Sequence, residues 1–205
     1  MAYENIRLEL EDALAVLTVD RPKALNALNT RTLQELDDAL RSVAGNPQLR
    51  ALIVTGAGEK AFVAGADIAE MAAYTPAEAR AFSGLGHRVF HAMESLSVPT
   101  LAAVNGFALG GGCELALCCD LIYAAEKARF GLPEVGLAVI PGFGGTQRLT
   151  RTVGRMRAKE MIFSGEMIDA AKAREVGLAL EVVPGDKLLE HCRAVASKLA
   201  KKGPL

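Results

Sequence analysis

Two carboxylates, Glu114 and Glu134, stand beside glycine clusters in an otherwise apolar stretch of the chain. Glu114 follows Gly110-Gly111-Gly112 and heads the short apolar run LALCC. Glu134 lies between Pro133 and an apolar segment that ends in Gly142, Gly144 and Gly145. A carboxylate is costly to bury unless something compensates it, so such surroundings ask for a reason. Paired carboxylates can divide the roles of general acid and general base. Any single glutamate is more often a surface residue or the partner of an arginine, such as Arg148, than a catalytic group. The pairing beside glycine turns favours an active site.

The glycines suggest a second kind of chemistry. Ala64-Gly65-Ala66-Asp67 and Gly110-Gly111-Gly112 each follow an expected strand and lead into an expected helix. Free backbone N–H groups at a helix start suit an anion or a developing oxyanion. Two ordinary strand–helix turns would look the same, and spacing alone does not separate the readings. Nucleotide-phosphate loops fit poorly: GFALGGGCE lacks the lysine and hydroxyl of a P-loop, and GFGGT does not continue as a dinucleotide fingerprint. His87 and His91 are four apart on one expected helix, but HRVFH lacks the glutamate of a zinc-protease motif, which favours an exposed, non-ligating pair. No serine or cysteine sits in a nucleophile elbow. Cys113, Cys118, Cys119 and Cys192 form no C-x-x-C pair and have no histidine near them in sequence. They read as small buried apolar residues, and no metal is expected. Asp120 reads as a buried structural partner at the end of the CC segment.

The elements that must position these groups follow from periodicity and punctuation. Residues 5–10 and 13–19, broken by Glu11-Asp12, predict a β-hairpin that Pro22 terminates. Thr30 or Asn29 caps a helix to about residue 44, with Leu33, Leu36, Leu40 and Val43 on one face. ALIVT (51–55) is a buried strand. KAFVAGADIAEM (60–71) is a short strand turning into a helix whose first turn carries Asp67 and Glu70, acidic residues suited to the helix dipole. Pro76 opens a long helix to about Leu96, and TLAAV (100–104) is a strand. Past the central stretch come helices over 145–153, 155–163 and 169–176, a strand at 180–183 and a final helix from about 186 to 201. Strand and helix alternate loosely without a clean internal repeat, so the fold class is α/β.

Composition narrows the classes. The chain has 205 residues, 51% of them hydrophobic, with a formal net charge of −1. That length supports one sizeable core. The near-neutral balance and pI of about 6.3 give no electrostatic case for nucleic acid or an anionic membrane surface. No apolar run approaches a membrane span. The N-terminal MAYENIRLELED is charged and lacks a signal-peptide apolar region, so a cytoplasmic protein is expected.

Four segments, RPKALNALN (21–29), FVAGADIAEM (62–71), AAVNGFALGGGCELALCCD (102–120) and FGLPEVGLAVIPGFGGTQRL (130–149), resemble the enoyl-CoA hydratase (crotonase) family. The likeness runs from the hairpin to the last helix. It implies a spiral of repeated ββα units with flanking helices, a single crotonase-like domain over 1–205, and assembly as homotrimers or dimers of trimers. It also implies an acyl-CoA thioester substrate and no separate cofactor. By motif position, the N–H groups of Ala66 and Gly111 would polarise the thioester carbonyl, and each such donor contributes ~10²–10³ in rate. Glu114 and Glu134 would hold one water between them. Glu114 would activate it for attack at Cβ, Glu134 would protonate Cα, and the N–H of Gly142 would help place the water. Lys23, Ala24, Leu25, Ala64 and Ile68 would contact the adenine end of CoA, although Leu25 and Ile68 read equally as core residues.

Two departures from the family pattern stand out. Family members continue past KKGPL with a helical segment that covers the acyl pocket and packs at the trimer interface, and this chain stops before it. Ala138 stands where many members carry glycine. The activity implied is that of a hydro-lyase, reversible addition of water to a trans-2-enoyl-CoA to give a 3-hydroxyacyl-CoA. Fatty-acid β-oxidation, butyrate-type fermentation and amino-acid catabolism are all settings for it. Another crotonase-family reaction, isomerisation or decarboxylation, is the nearest alternative. Isomerases tend to keep one acidic residue at these two positions, so the presence of both favours hydration. A non-catalytic acyl-CoA-binding protein would need the glycine turns but not the two carboxylates.

Overall fold

A computed structural model describes residues 3–203. The first two residues of the charged N-terminal stretch, and Pro204-Leu205 of the closing KKGPL, lie outside the described residues. The expected hairpin is β1 (Ile6–Glu11) and β2 (Leu14–Val19), antiparallel with Ile6 opposite Val19. β1 is an edge strand with several exposed residues, whereas β2 is buried throughout. Burial on both faces explains why β2 reads LAVLTV, apolar nearly without alternation. The helix α1 (Thr30–Ala44) then crosses over to β3 (Ala51–Gly56), which pairs parallel with β2. Asn29, not Thr30, caps α1, accepting from Thr32 N–H.

Three strand pairs follow, and each divides between two sheets. β3 is followed by β4 (Ala61–Val63), β5 (Thr100–Val104) by β6 (Phe107–Leu109), and β7 (Leu121–Ala125) by β8 (Arg129–Gly131). The first strand of each pair joins a six-stranded sheet, ordered β1-β2-β3-β5-β7 and then β10 (Glu181–Val183). The second joins a four-stranded sheet that ends in the two-residue β9 (Ile168–Asp169). Helical structure follows every pair: α2 (Ile68–Met71) and α3 (Pro76–Glu94), then α4 (Gly111–Ala116), then a 3₁₀ turn at Pro133–Leu137 with α5 (Gly145–Val153) and α6 (Arg155–Ser164). This is the ββα spiral. The units share geometry but not sequence, so no repeat is visible in the chain.

Helices cover the larger sheet on both faces. Along β3, Leu52 and Val54 pack into one apolar cluster with α1 and α3, while Ala51 and Ile53 pack into another. The second cluster is closed by Leu188, Cys192 and Ala196 of α8 (Leu188–Ala200). The period of two is that of a strand buried on both sides. α3 begins with a full capping box, Thr75 and Glu78, with Pro76 in the first turn. α7 (Ala170–Glu175) is capped by Asp169, the first residue of the helix expected over 169–176. Asp120 departs from its expected burial: the residue is exposed. It is nonetheless a structural partner, since its carboxylate accepts from Thr100 N–H and Oγ1 at 2.8 Å each.

Candidate active site

The floor of the site is α4 and the glycines that let it dock. Gly110 caps the helix with φ +48°, a conformation that disfavours side chains. A Cβ on Gly112 would lie 1.8 Å from the Val63 carbonyl oxygen, so only glycine allows α4 to sit against β4. Docked this way, the helix turns Glu114 inward, where it is 1% exposed. Its Oε1 accepts from Phe143 N–H at 2.8 Å and from Gly145 N–H at 2.7 Å. The GFGGT cluster is therefore a backbone cradle for this carboxylate. Burial pushes the Glu114 carboxyl up to about 7, the two N–H donors oppose that shift, the charge of Glu134 adds to it and that of Arg148 opposes it. Arg148 does not pair with either glutamate; its partner is Glu94 at 3.0 Å.

Glu134 comes from the 3₁₀ turn at Pro133–Leu137, and burial also raises its pKa. Its Oε2 is buried without a hydrogen-bond partner among the described residues. A lone buried carboxyl oxygen is costly, and it is what a site awaiting a polar ligand presents. Ala138 closes this turn at φ +56°, in the left-handed region. Backbone geometry thus explains why glycine suits the position, while alanine bears some strain there.

The two glycine turns meet. An added Cβ on Gly110 would lie 3.7 Å from Gly65 Cα and 3.1 Å from Glu134 Oε1. Leu28 bridges Ala66, with Leu28 N–H donating to Gly65 O and Asp67 N–H donating to Leu28 O, both at 2.8 Å. In that pairing the N–H of Ala66 itself faces away from Leu28. Gly111 N–H lies in the first turn of α4, where no intrahelical acceptor exists. Ala66 and Gly111 both line a cavity of about 470 Å³, together with Glu114, Glu134, Gly142, Ala64 and Ile68. Met71, Phe82, Leu137, Val139, Ile140 and Phe143 supply apolar walls.

Lys23, Ala24 and Leu25 stand outside that cavity. They belong to a 3₁₀ turn tied to it by a hydrogen bond from Ala64 N–H to Leu25 O at 3.0 Å. Leu25 lines a neighbouring hollow of about 310 Å³ with Pro22, Gly58 and Lys60. Leu25 and Ile68 are 38% and 57% exposed, so neither is a core residue. A larger hollow of about 860 Å³, beside the α5–α6 junction and the end of α7, is more open and contains none of the expected site residues. His87 and His91 are both exposed. Among the described residues no group of three or more His, Cys, Asp or Glu could hold a metal ion.

Several supporting residues escaped the sequence reading. Asn26, fully buried at φ +60°, donates to Ala57 O and Ala61 O and accepts from Arg21 N–H. Arg21 reaches on to Asp67 at 3.0 Å, pinning the turn that carries Ala66. An asparagine between two turn-like segments was the available cue, because asparagine tolerates the left-handed region. Phe143 packs edge-on against Phe82 and Phe90, and a Cβ on Gly86 would lie 2.2 Å from its ring. The cue there was a glycine in the middle of a long helix.

A ββα spiral that brings two carboxylates and two backbone N–H groups to one apolar cavity defines a crotonase-type fold. Solved structures agree: an enoyl-CoA hydratase from Bacillus anthracis superposes with a TM-score of 0.96 at 42% identity, over 98% of this chain and 78% of that one. The enoyl-CoA hydratase/isomerase family model matches residues 9–205, and the chain belongs to that family. It is 53% identical over its whole length to the crotonyl-CoA hydratase of Syntrophomonas wolfei, covering 79% of that protein. It is 49% identical to the short-chain-enoyl-CoA hydratase of Clostridium acetobutylicum, covering 78% of it.

Proposed function

We propose that this protein is an enoyl-CoA hydratase, a hydro-lyase that adds water to short trans-2-enoyl-CoA thioesters. The observation that carries the mechanism is the convergence of Glu114, Glu134, Ala66 and Gly111 on one cavity. Ionised Glu114 takes a proton from water as its oxygen attacks Cβ. The π electrons of the double bond move toward the thioester, whose oxygen gathers enolate-like charge against the N–H groups of Ala66 and Gly111. Glu134 then delivers a proton to Cα, completing a 3-hydroxyacyl-CoA. Gly142 N–H holds the water. The unpartnered Oε2 of Glu134 supports a place for that water between the two acids. Each acid–base role is worth ~10²–10⁴.

Burial raises the pKa of both carboxyls, the larger shift falling on Glu114, so the division of labour rests on placement and not on these values. Glu114 must be ionised, which sets an acid limb near its value of about 7, and Glu134 must carry a proton, which its upward shift favours. CoA binds across Ala64 and Ile68 and the adjoining turn of Lys23, Ala24 and Leu25. Its binding there is supported by the exposure of the two large apolar side chains and by the hydrogen bond joining the segments. The exposed apolar residues Met156, Phe163, Met167 and Leu180 support self-assembly as a trimer or pair of trimers. Four unpaired, buried cysteines support a reducing, cytoplasmic setting, and no helix among the described residues is long and apolar enough to cross a membrane.

Incubation with crotonyl-CoA followed by mass spectrometry tests the reading. The expected product is heavier than the substrate by one water. A product of unchanged mass that separates from crotonyl-CoA by chromatography would assign isomerisation to the site instead.

A further inference from the structure

We propose that Ser83 of α3 is a positioning residue, whose hydroxyl fixes the peptide that anchors Glu114. The inference rests on the hydratase reading of Glu114. Ser83 Oγ donates to the Gly142 carbonyl oxygen at 2.6 Å. The N–H at the other end of that same peptide unit belongs to Phe143, and it donates to Glu114 Oε1 at 2.8 Å. Hydroxyl, amide and carboxylate thus form one continuous chain. A helical serine ordinarily satisfies itself on the carbonyl four residues back. This one instead reaches a partner 59 residues away, on a loop that lines the same cavity.

Two physical consequences follow from the chain. Donation to an amide carbonyl polarises the amide, so its N–H becomes a stronger donor; such reinforcement amounts to roughly 10–30% per bond. The bond also restrains a loop that needs restraint, because three of its four residues over 142–145 are glycines. α3 holds the far side of the same loop through Glu94, which binds Arg148, whose Nη1 donates to Phe143 O at 2.8 Å. Of these two contacts from α3, only that of Ser83 lies on a peptide that supplies a donor to Oε1.

The charged and titratable groups around Glu114 come from every packed element. They are Glu134 from its 3₁₀ turn, Arg148 from α5, Cys113 from α4 itself, Cys118 just past its end, and Glu94 and His87 from α3 beside Arg148 and Gly144. Ser83→Ala alters none of these charges. Its effect on the ionisation of Glu114 is therefore confined to the hydrogen-bonded chain.

The test is the pH dependence of kcat/KM for crotonyl-CoA hydration by Ser83→Ala, Ser83→Thr and the parent, with Glu114→Gln alongside. Ser83→Ala is expected to lower kcat about tenfold with KM changed less than about twofold. Its acid limb should move up by about half a pH unit, because a weaker donor stabilises the carboxylate less. Ser83→Thr, which keeps the hydroxyl, should restore both. Parent-like kcat and an unmoved limb in Ser83→Ala would overturn the inference. So would a loss of activity with the limb unmoved, which is the signature of a purely structural role. If Glu114→Gln retains parent activity, the reading of Glu114 itself has failed; if it collapses while Ser83→Ala is unaffected, only the Ser83 inference falls.

Discussion

Glu114 and Glu134 share one cavity but are held in opposite ways. Glu114 stands on a helix docked through Gly112 against the Val63 backbone, and its Oε1 takes two N–H bonds. Glu134 stands on a turn whose neighbours Val135, Leu137, Val139 and Ile140 are exposed, and its Oε2 has no partner among the described residues. The floor is overdetermined and the rim is not. A base must already be placed and poised before water arrives, so rigidity belongs on the floor. An acid that meets a changing acyl group can take its last contacts from substrate and water.

The most forceful way to break this contrast is to fill a glycine on each side. Gly112→Ala drives a Cβ into the Val63 carbonyl, whereas an added Cβ on Gly136 of the rim meets nothing within 4 Å. Gly112→Ala should lose at least about 3 kcal/mol or fail to fold, and Gly136→Ala should stay within about 0.5 kcal/mol of the parent in urea denaturation. Comparable losses in the two variants would abolish the distinction.

A second test uses the raised pKa of Glu114. Its folded value of about 7 exceeds the ordinary 4.5, so the folded state binds the proton more tightly than the unfolded state. The associated stability is fully present below about pH 4.5 and is lost as pH rises to 7. The loss is about 3 kcal/mol at high pH. Glu114→Gln should therefore gain stability relative to the parent as pH rises from 5 to 8, with Glu134→Gln showing a smaller gain of the same sign. Equal dependence in parent and Glu114→Gln would place the titrating burden elsewhere.

Two smaller effects sharpen the picture. Ile140→Ala on the rim should raise KM for crotonyl-CoA roughly 3–10-fold with kcat nearly unchanged, since it removes apolar contact without touching the reacting atoms. A fall in kcat alone would mean that the rim also positions the acid. Glu94→Gln removes the partly exposed partner of Arg148 and should cost less than about 1 kcal/mol in thermal melts, because such pairs are screened by solvent. A larger loss would show that the pair, and not Ser83 and the glycines, holds the 142–145 loop.

Much of this arrangement was legible before the structure. Both carboxylates, both glycine turns, strands β1 to β5 and β10 and the longer helices follow from spacing and punctuation, whereas β6 to β9 do not. The roles within the turns came from the family resemblance rather than from the residues. What remained hidden was long-range. Nothing local says that the Glu114 carboxyl will be cradled by the amides of residues 143 and 145, or that Ser83 will bond residue 142. The burial of Asn26 and the exposure of Asp120 depend likewise on partners far away in the chain. The division of each strand pair between two sheets was hidden for the same reason, because β3, β5 and β7 differ from β4, β6 and β8 in length but carry no repeated motif.

The most direct measurement is the hydration rate of crotonyl-CoA, followed by loss of its ultraviolet absorbance, for the parent, Glu114→Gln and Glu134→Gln, each checked for folding. Rates that fall ~10²–10⁴-fold in both variants are the result this account requires. A parent-like rate in either variant would contradict the two-carboxylate site.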